Sequence, residues 1–429
     1  MQNKWIKNFE ELAVTPERKN ALEIAEAGLQ AISTADVVAN SVKLEENILI
    51  MKGEKFDLSK FKKIKVIGFG KASCDAAQAL EKVLGPKISE GAVIGLEAKT
   101  CDIIETFAGT HPRPSMQNVE AGSKILQIAE NSTEDDLVIV LVSGGGSALL
   151  CVNQIECEQG QKLYDSFLKT GKTISELNTV RKHISSLKGG GLAKVLYPAT
   201  VVSLIFSDVP GDKYEDVASG PTYFDKTTVP EVQTIIDEYE LGDFQLVETP
   251  KEDKYFEKVH NVILVSNKTA MDAMAEKARD LDLEPNIIST DLYDDIDIAL
   301  DRILGGRSSK ELEVRPQVIL AAGEPKLVVT KKGGSGGRNL FMAMKAVKLI
   351  DDNSVFIPLA SDGLDNCDAA GAIVDKFTRE KIEKLGLNLD EYIANFNAYP
   401  TFQKSGDMIM TGATGANVSD LFILLRKKI

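Results

Sequence analysis

The sequence predicts an α/β fold built as two domains, each around a largely parallel sheet, and three observations predict it. A chain of 429 residues is longer than one hydrophobic core usually supports. Short β-branched runs alternate with helix-like segments along most of its length. Glycines gather immediately after those runs, where the loops of an open parallel sheet meet ligands.

Thr15-Pro16 is a cap-then-proline helix start, and apolar spacing carries that helix to Ala39. KIKVIGFGKAS then holds a short strand at Val66 and Ile67, a glycine turn, and a helix over Ala76 to Leu84. The same order recurs in GAVIGL (91–96), the strand Asp102 to Phe107, the helix Ser115 to Asn131, DLVIVLVSGGGSALL (136–150) and TVVSLIFSD (200–208). Ile174 to Leu196 reads as helix interrupted by Gly189, Gly190 and Gly191. The acidic stretch Asp237 to Lys258 has few apolar anchors and reads as a linker, which divides the chain into 1–245 and 246–429. Beyond it, strands are expected at 261–266, 284–290, 317–323, 326–329 (KLVV) and 354–361. No short repeat or low-complexity tract interrupts the pattern.

Composition excludes several classes of function. Fifty basic residues against 64 acidic ones leave a net charge of −14, which repels nucleic acid and anionic membranes. The five cysteines, at 74, 101, 151, 157 and 367, are scattered without metal-ligand spacing, so neither zinc nor a disulfide framework is expected. Apolar runs end after about six residues, far short of the roughly 20 that span a bilayer, and the first residues lack a signal-like apolar core. A cytoplasmic protein is the expectation.

Five glycine loops carry the chemistry: Gly68-Phe69-Gly70-Lys71, Ser143-Gly144-Gly145-Gly146-Ser147, Lys188-Gly189-Gly190-Gly191, Gly333 to Arg338, and Thr411 to Asn417. A single such loop is more often a tight turn; five with neighbouring cations or hydroxyls suit phosphate and carboxylate oxygens. Established nucleotide motifs fail. Ser73 stands where the third glycine of a dinucleotide fingerprint belongs, and Ser166 where the first glycine preceding Gly171-Lys172-Thr173 would complete a P-loop. Acidic loops follow two strands, Ser207-Asp208 to Asp212 and Ser361-Asp362 to Asp365. Carboxylates there can hold Mg²⁺ or accept a hydroxyl proton, while for Asp365 a helix cap is an equal reading. Electropositive and acidic loops together indicate a Mg-nucleotide and a small anionic substrate.

The segments THPRPSMQNVEAG, LVSGGGSALL, LNTVRKHISSLKGGGLA, SDVPGDKYEDVASGPT, GGSGGRN, ASDGLDNCDAAGAIVD and TGATGANVSDL, in this order from about residue 64 to 425, resemble the motif series of the class II glycerate kinases, the glycerate 2-kinase or MOFRL family. The resemblance implies a Rossmann-like N-terminal domain, a MOFRL-type C-terminal domain whose last strand could return to the first, and an active site in the interdomain cleft. It implies transfer of phosphate from ATP, with Mg²⁺, to the 2-hydroxyl of D-glycerate. By position it assigns Lys71 and Arg338 to catalysis. It assigns substrate or nucleotide contacts to Ser143, Gly144, Gly145, Gly146, Ser147, Arg181, Lys188, Glu324, Asn339, Asp362 and Asn417. Asp208 is the expected base, and Asp208 and Asp212 the expected metal ligands. The chain departs from the family in Leu340-Phe341, where Gln-Glu is usual, and in Gly323-Glu324-Pro325, Cys367-Asp368 and Thr411 to Asn417, changes that bear on substrate or nucleotide preference.

His111 reads as a loop-fixing or solvent-facing residue, although the family pattern places its HPxP segment near the cleft; His183 reads as structural, and Cys151 and Cys157 as buried small side chains. Two other functions stay in view: an NAD(P)-dependent hydroxypyruvate reductase, which needs the fingerprint this sequence lacks, and an anion-binding protein without turnover. A kinase of a related hydroxy acid is a variant of the leading reading. Oligomeric state is left open by the sequence, homo-oligomers included.

Overall fold

The structure, a computed structural model, describes residues 4–170, 174–209, 211, 213–305, 317–330 and 333–427. The chain divides into two compact units, Thr34–Val265 and Met1–Ser33 together with Ser266–Ile429.

The first unit opens with three antiparallel strands, β1 (Val42–Glu45), β2 (Ile48–Met51) and β3 (Glu54–Asp57). Lys52 and Gly53, both at positive φ, make the tight turn between β2 and β3. Next come β4 (Lys63–Phe69), β5 (Glu90–Gly95), β6 (Ile104–Ala108), β7 (Asp136–Ser143), β8 (Thr200–Phe206) and β9 (Val259–Val265). These form one parallel sheet in the order β6-β5-β4-β7-β8-β9. All eight residues of β7 are buried, as a strand covered on both faces requires. Val138, Val140 and Val142 pack with Ile67 and Phe69 of β4 and with Ile125 and Ile128 of the Met116–Glu130 helix.

The second unit holds β10 (Glu284–Leu292), β11 (Gln317–Gly323), β12 (Ser354–Ala360), β13 (Gly371–Ala372), β14 (Met408–Ile409) and β15 (Asp420–Arg426). Their order is β10-β11-β15-β12-β13-β14, with β15 antiparallel between β11 and β12. The Arg338–Leu349 helix supplies Leu340, Phe341, Met342 and Met344 to the core beside Phe356 and Phe422.

Several sequence expectations are corrected here. The opening helix breaks at Ile32 and Ser33 into Pro16–Ala31 and Thr34–Ser41, and the first piece belongs to the second unit. Buried Arg18 fixes it there: its guanidinium donates to Asp375 at 2.6 Å, to Asp407 at 2.8 Å and to Thr378 at 2.8 Å. The supposed linker is packed into the first unit, since Leu241 shares a small core with Leu163, Leu177 and Val180, Phe244 and Leu246 pack against it, and Val247 N–H donates to the His183 carbonyl. The NVILVS strand closes the first sheet as β9 rather than opening the second, so the division falls at 265/266 instead of 245/246. The last strand lies inside the second sheet and does not return to the first. KLVV makes only an isolated bridge from Lys326 to Asp295, and Val328 and Val329 are exposed.

Candidate active site

In the first unit the chain runs outward from β4 to β5 and β6 on one side, and through β7, β8 and β9 on the other. The carboxyl ends of β4 and β7 therefore flank the topological switch point, where open α/β sheets bind ligands. Lys71 leaves β4 there, and its backbone N–H donates to the Gly144 carbonyl at 2.8 Å. Ser143 knits the two loops together, its Oγ accepting from Ala72 N–H at 3.0 Å and lying 3.2 Å from Ser73 Oγ. Gly70, at φ +127°, lies so close to Ser143 that a Cβ would strike it.

A Cβ on Gly144 would strike the carboxylate of Asp208, which arrives from the end of β8. One on Gly145, itself at φ +78°, would stand 3.1 Å from Lys71 Cγ and 3.2 Å from His111 Cδ2. Gly146 packs against Phe69 and Ala218, and Ser147 Oγ pairs with Ser219 Oγ at 2.8 Å. The glycines thus admit an ammonium, a carboxylate and an imidazole around one short stretch of backbone.

Loss of hydration pushes the Asp208 carboxyl above its ordinary range, against the opposing pull of Lys71. The imidazole of His111, an exposed residue, is pushed down to about 4 by loss of hydration and then by the Lys71 and Arg181 charges. Burial lowers Arg181 to about 10. Lys71, His111, Arg181 and Asp208 therefore belong to one electrostatic group.

Lys188 already has partners within the first unit. Its buried ammonium donates to Glu156 Oε1 at 2.6 Å, the Leu150 carbonyl at 2.9 Å and Ser185 Oγ at 3.3 Å. The glycines after it serve close packing: Gly189 and Gly190 N–H groups donate to the Ser219 and Gly220 carbonyls. His183 is structural as expected, bonded to the Val247 carbonyl and Thr227 Oγ1. Cys151 and Cys157 are buried, and burial pushes Cys151 up to about 12. Asp212 lies outside the described residues.

The second unit gathers its polar groups at one end of its sheet. Register sets Asp420 of β15 opposite both Gly323 of β11 and Ala360 of β12, so Glu324 and Asp362 leave their strands beside it. Arg338 Nε donates to Asp420 Oδ2 at 2.5 Å, with Glu324 3.9 Å from the guanidinium. Asn339 Nδ2 donates to Asp420 Oδ1 at 2.8 Å. Asp365 receives the N–H groups of Asn339 at 3.0 Å and Leu340 at 2.7 Å, so it caps the Arg338–Leu349 helix. Burial raises Asp365 to about 6. Asp362 accepts from Leu364 N–H at 3.1 Å, and Asn417 lies in the half-buried loop entering β15. Leu340 and Phe341, the departures after the GGRN motif, point into the core. Sequence reading missed Asp420, although it stands three residues beyond Asn417 at the start of an apolar strand.

Residues 20–252 match a family model described as a domain of unknown function (DUF4147), and residues 317–420 match the MOFRL family. A glycerate 2-kinase of Pyrococcus horikoshii is 34% identical, the match covering 94% of this chain and 98% of that protein. The chain belongs to the glycerate 2-kinase family. The crystal structure of a glycerate kinase from Thermotoga maritima superposes with a TM-score of 0.83 at 30% identity, over 95% of this chain and 99% of that one. A protein of Agrobacterium vitis named a putative hydroxypyruvate reductase is 34% identical over 84% of this chain and 86% of its own length. Within the family's segments, the loop after β4 argues against dinucleotide binding: Gly70 is used to admit Ser143, and buried Ser73 replaces the third glycine. Among the described residues no helix is long and apolar enough to cross a membrane.

Proposed function

We propose that this chain transfers the γ-phosphoryl group of ATP to the 2-hydroxyl of D-glycerate, giving 2-phosphoglycerate and ADP. The observation that carries the reading is the meeting of Lys71, Gly144 and Asp208 at the ends of three adjoining parallel strands. Family membership supplies the reaction class.

The hydroxyl oxygen forms the new bond to phosphorus as the bond to the bridging oxygen of ADP breaks. Phosphoryl transfer asks the protein mainly for position and charge. Lys71, without an ion-pair partner among the described residues, offers a point charge to the phosphoryl oxygens. Asp208 takes the proton of the attacking hydroxyl, since its carboxylate lies at the Gly144 turn where Lys71 also arrives. Arg338 is assigned to phosphate charge as well, with Asp420 fixing its orientation. Glu324, Asn339, Asp362 and Asn417 stand around it as candidate contacts to nucleotide or substrate.

Asp208 also fits the magnesium ion that such a nucleotide carries. It is a hard oxygen donor at a strand end, and Mg²⁺ commonly takes one or two carboxylates, filling its shell with phosphate oxygens and water. Asp212 is the second proposed ligand. When bound, the ion neutralises charge on the nucleotide phosphates. A coupled assay of ADP release tests the function: glycerate-dependent ADP formation is expected, and NADH oxidation with hydroxypyruvate in its place would overturn it.

A further inference from the structure

The first residues of the chain cover an edge of the second sheet. β14 is the last strand of that sheet, and Asn8 spans it with both ends of its amide: Nδ2 donates to the Met408 carbonyl at 2.8 Å, and Oδ1 accepts from Met410 N–H at 3.0 Å. Lys7 N–H donates to the Met410 carbonyl at 2.7 Å. Glu26, on the Pro16–Ala31 helix, accepts from Trp5 N–H at 3.0 Å and from Ile6 N–H at 2.5 Å, and Ile6 and Phe9 are buried. Residue 7 is thus fixed by its own main chain and by the residues on both sides of it.

That docking carries the Lys7 side chain to the Thr411 to Asn417 loop. At Gly412, φ +67°, a Cβ would stand 2.6 Å from Lys7 Nζ, so the ammonium occupies the space that a side chain would take. Lys7 is exposed, and among the described residues its ammonium has neither a hydrogen-bond nor an ion-pair partner. The loop itself is pinned to the turn after β12. Thr414 N–H donates to the Asp362 carbonyl at 3.0 Å, and Gly363, at φ +86°, packs against the Gly412 carbonyl.

This end of the sheet is short of positive charge. Glu324, Asp362 and Asp420 leave their strands there, and the Arg338 guanidinium is already engaged by Asp420. A phosphate ligand would meet more negative than positive charge, and an ammonium held beside a glycine loop offsets this as a point charge.

We propose that Lys7 binds phosphate oxygens of a ligand held at the Thr411 to Asn417 loop. The site of the second unit then takes a cation from the start of the chain, ahead of the residues that either family model matches. The proposal rests on the kinase reading, in which both the nucleotide and the phosphorylated product carry such oxygens.

The test is calorimetric titration of the intact protein with Mg-ATP and, separately, with 2-phosphoglycerate, each at low and high KCl. Lys7→Gln should weaken at least one of the two by roughly 10-fold at low salt, the lower worth of a hydrogen bond to a charged group, and the ligand that weakens is the one Lys7 holds. Its affinity for that ligand should depend less on KCl than that of wild type, because one screened contact is gone. Lys7→Arg should recover part of the affinity together with the salt dependence of wild type, since the charge remains. The main-chain hydrogen bond of residue 7 survives both changes, so the fold is kept. Unchanged affinity for both ligands, a loss that keeps the salt dependence of wild type, an arginine variant as weak as the glutamine one, or no binding of either ligand by wild type overturns the proposal. ADP release from glycerate by wild type is scored separately: its absence overturns the kinase reading, while a loss with reduced salt dependence in Lys7→Gln still supports the cation site.

Discussion

Arg338 and Asp420 stand 82 residues apart in sequence and meet at 2.5 Å, Nε to Oδ2, at the end of the second sheet. Asp420 is buried, and its other oxygen accepts from Asn339. One carboxylate therefore fixes two neighbouring side chains of the GGRN motif. Asp420→Asn should free the guanidinium and lower kcat/KM by roughly 10-fold or more, the worth of a charged hydrogen bond. Steady-state kinetics with glycerate and ATP checks this. Unchanged turnover in a folded variant would separate Arg338 from the chemistry.

Lys71 contributes little to packing, because its side chain projects from a loop. Lys71→Ala should keep the melting temperature and lower kcat/KM by roughly 10²-fold, if the contact tightens in the transition state. Lys71→Arg should recover only part, the guanidinium being longer and flat. Near-normal turnover of the alanine variant at saturating substrate would sink the assignment. Gly144→Ala is a companion test at the same loop: the added methyl must displace the Asp208 carboxylate, so activity should fall.

How much of this was legible in the sequence follows from the range of the interactions. The meeting of the Lys71, Asp208 and Ser143 to Ser147 loops at strand ends was legible because strand, glycine turn and candidate residue are adjacent in the chain. Asp420 was not, because its position comes from the register of β15 between β11 and β12. The ion-pair partner of Lys188 was hidden for the same reason: only the fold brings Glu156 to it from 32 residues away. The Val42 to Asp57 hairpins carried a turn signal in Lys52-Gly53, but their strands are only four residues long.

Asp365 should give the second unit a stability that depends on pH. Its folded carboxyl is raised to about 6, first by burial and then, against its hydrogen bonds, by the charge of Asp420. In an unfolded chain it would titrate near 3.9. The folded state therefore holds the proton more tightly, and the stability from this group is present below about pH 4 and lost as pH rises through about 6. Urea denaturation of wild type and Asp365→Asn between these limits is the measurement. The wild type should lose stability relative to the variant across the window; a constant difference would show that the carboxyl titrates normally.

Arg18 is the test of why the first residues of the chain belong to the second unit. Its guanidinium is about 1% exposed and reaches residues 357 and 389 positions away, Asp375 and Asp407. Lys381 also donates to Asp407 at 2.9 Å, so that carboxylate keeps a partner when Arg18 is lost, whereas Asp375 keeps only hydroxyl and backbone donors. Removing one member of a buried ion cluster leaves charge without compensation, typically about 3–5 kcal/mol. Arg18→Ala should therefore destabilise the protein by about that amount, and Arg18→Lys by less, since one charge cannot satisfy both carboxylates in the same geometry. The acid side gives the sign. Hydrogen bonds and charge from Arg18 hold Asp375 below its usual range despite burial, so its contribution is present above the unfolded carboxyl value and is lost as pH falls through the folded one. Arg18→Ala should flatten that acid limb in urea titrations followed by circular dichroism. A variant as stable as wild type at neutral pH, with the same acid limb, would mean that apolar packing of the Pro16–Ala31 helix, through Leu22, Ile24 and Leu29, holds it in the second unit without the ions.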